Sequence, residues 1–425
     1  MIKNGLQLIS SELSSVKTTL GRGNLSSVTP NTFSWKGKCV RPFASRTNVS
    51  HTTSVDLYSA GWPTSLLCQL PVDNINGSGI KLRGVSTREQ CCTILPPVAI
   101  NGFGRIGKCV LRLAIQKNVN VVAINEPSAN AEAIAHSFKY DSIHGMFPGC
   151  VSVKGDCLNI NGKIVRVYKE ANPENIKWKE LPVDYVIEST GRFTEVKTAQ
   201  KHMATGVKKV IISAPSKDAP MFVKGVNFDK YNNKMTVVSN ASCTTNCAAP
   251  LMHIINNQFG VEYCLLTTVH AMTSSQQILD GVKQRSAPGN IVHSTTGAAK
   301  AVGIVIPELK GKVTGDSIRV PTLDVSLLKL YITVKNPVTL ENIKCAIWKN
   351  ADTVENSVVS YIEDTENLVS SDFVGSQCSA IVDFNQVSII GDKFVTIGAW
   401  YDNEMAYSSR LLDLYTHMVE MDKCK

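Results

Sequence analysis

The stretch Val98–Ala114, V-A-I-N-G-F-G-R-I-G-K-C-V-L-R-L-A, decides how the rest of the chain is read. Val98–Asn101 is a short apolar run of the kind that lies inside a sheet. Gly102, Gly104 and Gly107 follow at once in G-x-G-x-x-G spacing. Ile106, Val110, Leu113 and Ala114 then recur at i, i+4, i+7 and i+8, which predicts a helix. Glycines in that frame permit a tight turn, close approach to a pyrophosphate and close helix–strand packing. The helix start offers N–H groups to the phosphates. Val119–Asn125 predicts the next strand, and Glu126 ends it, 24 positions after Gly102. That is near the spacing at which an acid grips an adenosine ribose. A bare glycine triplet is weak; strand, helix and acid together favour a dinucleotide site over a chance turn.

Outward from there, strand and helix signals alternate. Tyr185–Ile187 runs into Glu188-Ser-Thr-Gly191, and Lys209–Ile212 into Ser213-Ala-Pro-Ser216. Apolar strands that end in small hydroxyl residues mark the ligand edge of a parallel sheet. Thr236–Val238 predicts a further strand, which delivers the chain to Ser239–Pro250, S-N-A-S-C-T-T-N-C-A-A-P. Cys243 stands there at the start of an apolar helical pattern continued by Leu251, Ile254 and Ile255. Unsatisfied N–H groups and the positive dipole end lower the pKa of such a thiol, which makes Cys243 the candidate nucleophile. Cys247, one turn deeper, is its buried neighbour. Taken alone, the stretch fits two small core residues at least as well.

Beyond it, Tyr263–His270, Val325–Val334 and Phe394–Trp400 alternate and are rich in β-branched residues. They predict a mixed or antiparallel sheet in a second domain. Glu404–Met421 predicts an amphipathic final helix with Met405, Leu411, Leu412, Leu414, Tyr415 and Met418 as its apolar members. The expected class is α/β. A Rossmann-type nucleotide domain covers 96–242 and an α+β catalytic domain covers 243–402. A C-terminal helix within 403–425 is expected to pack back on the first domain.

The bulk numbers agree with this. The 425 residues are enough for two full cores, and 43% hydrophobic with 19% charged is ordinary for a globular protein. No apolar run approaches the roughly 18 residues that span a bilayer. Net charge is +9, but residues before 96 hold ten basic and four acidic side chains, so +6 of it is local. No compact basic stripe points to nucleic acid. Thirteen cysteines without regular spacing fit a reducing compartment. Cys243 and Cys247 lack a second ligand pair and Cys91–Cys92 are adjacent, so no metal site is expected. Residues 1–95 are Ser- and Thr-rich, acid-poor and aperiodic. A disordered extension is the preferred reading and an organelle-targeting leader the alternative.

Together these pieces resemble the phosphorylating glyceraldehyde-3-phosphate dehydrogenase family over roughly Pro97–Met421. The matches are Asn101–Gly107 (N-G-F-G-R-I-G), Phe138–Gly145 (F-K-Y-D-S-I-H-G), Ser239–Cys247, Thr295–Gly303 (T-T-G-A-A-K-A-V-G), Arg319–Thr322 (R-V-P-T) and Trp400–Glu404 (W-Y-D-N-E). The resemblance implies NAD as cofactor, glyceraldehyde 3-phosphate and inorganic phosphate as substrates, a homotetramer and a cytosolic setting. It implies that Cys243 attacks the aldehyde and that His270 activates the thiol and then serves as base. By the same likeness, Gly102, Gly104, Arg105, Ile106, Gly107, Glu126 and Ser213 contact the cofactor, and Asn403 holds its carboxamide, with Tyr407 one turn further on. Thr273 and Arg319 take the substrate phosphate; Ser242, Thr244, Thr296 and Gly297 lie near the incoming one.

The chain departs from the family pattern at four places, the least of them Met405-Ala406 where an aromatic residue and a glycine usually follow W-Y-D-N-E. Glu126 stands for the usual Asp, and Ala171 for a usual arginine near the adenine side. The loop after Asp280-Gly281 looks about six residues short. That loop lies at the tetramer core in the family, so assembly and cofactor affinity are the properties it touches. Two other functions stand beside the dehydrogenase: a catalytically impaired paralogue acting as an NAD-binding or regulatory protein, and a hydrolytic aldehyde dehydrogenase.

Overall fold

Apolar runs too hydrophobic on both faces for an exposed strand must be covered on both sides, and the first sheet shows this. The structure, a computed structural model, describes residues 95–423 apart from 283, 352–357 and 364–367. The expectations for residues 1–94 lie outside the described residues. Eight strands form the first sheet: β1 (Val98–Asn101), β2 (Val121–Asn125), β3 (Val151–Lys154), β4 (Cys157–Ile160), β5 (Lys163–Tyr168), β6 (Tyr185–Glu188), β7 (Lys209–Ile212) and β8 (Val237–Ser239). Their order is β3-β4-β5-β2-β1-β6-β7-β8. From β5 to β8 the neighbours are parallel, and β3–β4–β5 is an antiparallel meander at one edge.

Helix α1 (Arg105–Gln116) links β1 to β2 and buries Val110, Leu113 and Ala114, each at most 1% exposed. Full burial of a Val or Leu side chain stabilises by about 1.5–3 kcal/mol. β2 starts two residues later than the pattern predicts. Asn118 takes a left-handed φ of 54° and Val119 N–H bonds Ala114 O, so both residues are spent on the helix exit. α2 (Ala131–Lys139) and the short α3 (Val196–Ala199) follow. The strand order reverses on the two sides of β1, and that reversal opens a crevice at the carboxyl ends of the strands.

The second sheet is mixed. Its strands are β9 (Val261–His270), β10 (Val292–Thr295), β11 (Val313–Arg319), β12 (Ser326–Val334), β13 (Val359–Ile362), β14 (Ala380–Ile390) and β15 (Phe394–Tyr401). They lie in the order β10-β11-β9-β12-β15-β14-β13, with β11–β9 and β13–β14 parallel and the other pairs antiparallel. The β11–β9 register sets Arg319 opposite His270. α4 (Cys243–Phe259), α5 (Ala298–Val305) and α6 (Leu340–Asn350) supply residues to the same apolar core as this sheet.

The final helix, α7 (Met405–Lys423), differs from the amphipathic expectation. Every residue from Met405 to Leu412 is buried. Leu411, Leu412, Leu414, Tyr415 and Met418 join the core of the first sheet beside α1, and α7 also meets α4. A helix enclosed on several sides has no solvent stripe at its start. Its buried Arg410 pairs with Asp413 one turn on, at 2.8 Å.

Candidate active site

The glycine turn is shaped by sterics. Gly102 has φ +91°, and a Cβ there would lie 2.7 Å from the Thr190 nitrogen. A Cβ on Gly107 would overlap the Gly102 carbonyl oxygen. Gly104 meets nothing within 4 Å and caps α1 without a side-chain bond, so the first turn is left bare toward the crevice. A cavity of about 440 Å³ opens here, lined by Gly102, Gly104, Arg105, Ile106, Glu126 and Ser213 among others.

Glu126 Oε2 accepts the Phe103 N–H at 2.9 Å, and Oε1 accepts the Ser128 hydroxyl at 2.6 Å. Burial pushes this carboxyl up, but those bonds outweigh it and hold the group below its ordinary value. An anionic carboxylate in that place accepts ribose hydroxyls and repels a phosphate, so the cradle fits NAD. The Arg105 guanidinium is held by Asp141, at 2.5 and 3.1 Å, and by Glu404, at 2.5 to 3.0 Å. With four of its five guanidinium N–H groups engaged, Arg105 offers a pyrophosphate chiefly its main-chain N–H.

The thiol sits at a strained turn. Ala241 takes φ 55°, a left-handed value that a non-glycine residue holds only when its surroundings enforce it. Ser239 Oγ accepts the Ala241 N–H at 3.0 Å, and the Tyr407 hydroxyl donates to the Ala241 carbonyl at 3.0 Å. Ser242 is the N-cap of α4, its Oγ accepting the Thr245 N–H at 3.1 Å. Cys243 therefore opens the helix, and its Sγ lies 3.4 Å from His270 Nε2. Cys247 is fully buried one turn on.

The expected lowering of the thiol pKa is not what the surroundings produce. Burial raises the Cys243 thiol above its ordinary value; hydrogen bonds from Thr244 and the Arg319 charge offset this only in part. Desolvation of a thiolate outweighs the helix terminus. His270 is pushed down to about 4, first by burial and then by the Arg319 cation, with the Ala271 carbonyl opposing. At neutral pH a thiol thus faces a neutral imidazole.

Two neighbours compete for the far side of that ring. Arg319 Nη1 lies 2.7 Å from His270 Nδ1, and Nδ1 lies 2.7 Å from the Ala271 carbonyl oxygen. Donation by arginine needs a bare Nδ1 and puts the ring proton on Nε2, facing Cys243. Donation from Nδ1 to Ala271 leaves Nε2 bare, the form that takes a proton from the thiol.

Ser242, Cys243, His270, Thr273 and Asn403 line one cavity of about 600 Å³, which shares Arg105, Ile106 and Ser213 with the nucleotide cavity. Thr273 also lines a neighbouring pocket with Arg319, Arg285 and His293. Thr296 and Gly297 do not line this cavity; nor does Thr244, although it hydrogen-bonds the Cys243 thiol. The Thr244 hydroxyl is buried 2.8 Å from the Tyr401 hydroxyl. Thr296 Oγ1 accepts the Ala298 N–H at 3.2 Å, and Gly297 caps α5. Asn403 Oδ1 accepts the Ser326 hydroxyl at 2.8 Å.

The structure also brings in residues to which sequence reasoning gave no role. Asp141 and Glu404 anchor Arg105, and His144 Nε2 lies 3.0 Å from Glu404 on its other side. Their signal was present in the F-K-Y-D-S-I-H-G and W-Y-D-N-E segments. Asp324 and Asp402 are buried beside His144, with ligand-type atoms of all three within 4.8 Å of one another. Asn101 Nδ2 donates to Glu188 at 2.5 Å, and Trp178 donates to His202 Nδ1 at 3.2 Å. His202 Nε2–H then faces Glu188 at 3.0 Å. An acid ending a fully buried strand was the available sign. In the 278–291 segment, Arg285 pairs with Asp280 at 2.9 Å, while Ile278, Leu279, Val282 and Ile291 are at least 75% exposed.

A family model described as the NAD binding domain of glyceraldehyde 3-phosphate dehydrogenase matches residues 96–196, and one described as its C-terminal domain matches 242–403. Glyceraldehyde-3-phosphate dehydrogenase 1 of Kluyveromyces lactis is 51% identical over 328 residues, covering 76% of this chain and 99% of that protein. The Phytophthora infestans glyceraldehyde-3-phosphate dehydrogenase is 50% identical over 331 residues, 76% of this chain and 99% of its own length. A Gracilaria gracilis protein named as the cytosolic enzyme is 47% identical over 334 residues, 77% of this chain and 99% of its own length.

Proposed function

The chain belongs to the glyceraldehyde-3-phosphate dehydrogenase family and is an NAD-dependent glycolytic oxidoreductase, and from that premise we propose how its own residues run the reaction. Cys243 adds to the aldehyde carbon of glyceraldehyde 3-phosphate. His270, with Nε2 bare, takes the thiol proton and returns a proton to the carbonyl oxygen, giving a hemithioacetal. NAD, when bound, supplies the hydride acceptor. His270 removes the hydroxyl proton as the carbonyl re-forms, leaving a thioester on Cys243. Inorganic phosphate attacks that thioester, the acyl phosphate departs and the sulfur is released as thiolate. A thiol suits both halves, since it adds readily to an aldehyde and its thioester stays reactive.

The substrate phosphate goes to the pocket shared by Thr273 and Arg319, where Arg285 and His293 add donors. An anion there draws the Arg319 guanidinium off His270 Nδ1 and favours the bare Nε2. The incoming phosphate meets Ser242 beside the thiol. The observation that carries the reading is the 3.4 Å approach of Cys243 Sγ to His270 Nε2, in a cavity continuous with the glycine turn. The test is NADH formation from glyceraldehyde 3-phosphate with and without phosphate. Phosphate-dependent turnover that disappears in Cys243→Ser is expected. Protein that binds NAD but shows no such turnover overturns the reading, and turnover unaffected by phosphate points to the hydrolytic route.

Two finer points go with it. The exposed apolar side chains Ile278, Leu279, Val282 and Ile291 support a homotetramer that covers them. The Gracilaria gracilis relative named cytosolic supports a cytosolic setting.

A further inference from the structure

Ser326 opens β12 directly after Val325, a β-branched residue held at φ +65°. Such a side chain is costly in the left-handed region and persists where its surroundings over-determine it. The turn sets the Ser326 hydroxyl, itself 1% exposed, between two segments of the active site. Its oxygen accepts the N–H of Ala271, the residue after His270, at 3.1 Å. Its proton goes to Asn403 Oδ1 at 2.8 Å. A hydroxyl carries a single proton, so with Ala271 already donating to it, Ser326 is a donor toward Asn403. That bond decides which end of the Asn403 amide is which. Oδ1 is taken by Ser326, and Nδ2 is the end that remains for the cavity holding Cys243.

We propose that Ser326 is a positioning residue for the cofactor, locking Asn403 as a hydrogen-bond donor so that the site reads the carbonyl oxygen of the carboxamide. This rests on the assignment of Asn403 to that carboxamide. An unlocked asparagine presents its oxygen or its nitrogen with equal ease. It therefore accepts the carboxamide by either end, and holds the ring less firmly in the one orientation that turns a single face to the reacting carbon. Ser326 removes that choice without touching the cofactor.

The test compares Ser326→Ala, Ser326→Thr and Asn403→Ala with the parent protein. NAD affinity is read by calorimetry, and KM and kcat are read separately. The face of transfer is read by NMR from deuterium carried on the aldehyde carbon into NADH. Loss of one such bond is worth up to roughly tenfold in affinity. Ser326→Ala is expected to weaken NAD binding and raise its KM by up to that factor, with kcat within about threefold, and to place a detectable share of label on the second face. Ser326→Thr, which keeps the hydroxyl, restores single-face transfer. Ser326→Ala with parental affinity and single-face label overturns the inference if Asn403→Ala binds NAD weakly, and the Asn403 assignment then stands. Parental NAD affinity in Asn403→Ala removes the assignment itself. A fall in kcat alone shows that Ser326 acts through Ala271 and His270, and also overturns the proposal. If Ser326→Ala does not fold, Ser326→Cys, of similar volume and a weaker donor, carries the same expectations.

Discussion

His270 holds its proton far more weakly in the folded chain than in the unfolded one, and the sign of its effect on stability follows. Its folded pKa is about 4, against the ordinary 6.5. Between those values the unfolded chain takes up a proton that the folded chain refuses. This contribution is therefore complete above pH 6.5 and is lost as pH falls toward 4. At about 1.4 kcal/mol per pH unit, the window is worth on the order of 3 kcal/mol. His270→Asn is expected to flatten that acid loss, read as the change in urea midpoint between pH 7.5 and 4.5. Asp324 has the opposite sign. Burial, then the charges of Asp402 and Glu404, push its carboxyl up to about 9 from 3.8. Its folded form keeps a proton that the unfolded form gives up, so stability declines as pH rises through that window. Asp324→Asn is expected to raise Tm by several degrees at pH 8 and to do little at pH 4. An unchanged melting curve at pH 8 contradicts the buried-carboxyl account. Neither direction was legible in the sequence, because both arise from burial and from charges brought by distant segments. The thiol taught the same lesson: a helix terminus can be inferred from local residues, the desolvation that outweighs it cannot.

At the scale of elements, reading succeeded where periodicity and sterics are local. The β1–turn–α1 unit was legible because the glycines and apolar residues fall within seventeen positions. Gly107→Ala tests its logic, since the new Cβ has backbone, not a flexible side chain, to displace. The change is expected to cost at least about 1–3 kcal/mol, the range for overpacking, and to abolish NAD binding in calorimetry. Retained NAD affinity would refute the packing role. Elements were misread where tertiary surroundings overrule the local signal. β12 begins at Ser326 because Val325 is forced left-handed, although V-S-L-L reads as one continuous strand. α7 has the apolar residues of an amphipathic helix, yet Ser408, Ser409 and Arg410 are buried as well. Polar side chains on a helix read as solvent-facing unless the partners that satisfy them are known.

For the molecule as a whole, the arrangement that matters is the meeting of two sheets' edges around Cys243. β8 delivers the cysteine from the nucleotide side, β9 and β11 bring His270 and Arg319, and the start of α7 returns Asn403 and Tyr407 to the same cavity. The exposed apolar loop gives the prediction proper to this scale. A solution mass of four chains is expected, and Leu279→Glu with Val282→Glu should lower it. A parent protein that measures as a single chain rejects the proposed tetramer.

The sequence by itself determined the two-domain α/β plan, the glycine cradle with its acid, and the cysteine at a helix start, because each rests on spacing within one segment. It also carried Asp141, His144 and Glu404 in plain view, but without a partner their purpose could not be read. Only the tertiary structure decided that Asp141 and Glu404 hold Arg105 with His144 behind Glu404, and that the Ser326 hydroxyl bonds the Asn403 amide. Those facts depend on register, burial and hydrogen bonds between residues far apart in the chain, and such contacts exist only once the chain has folded.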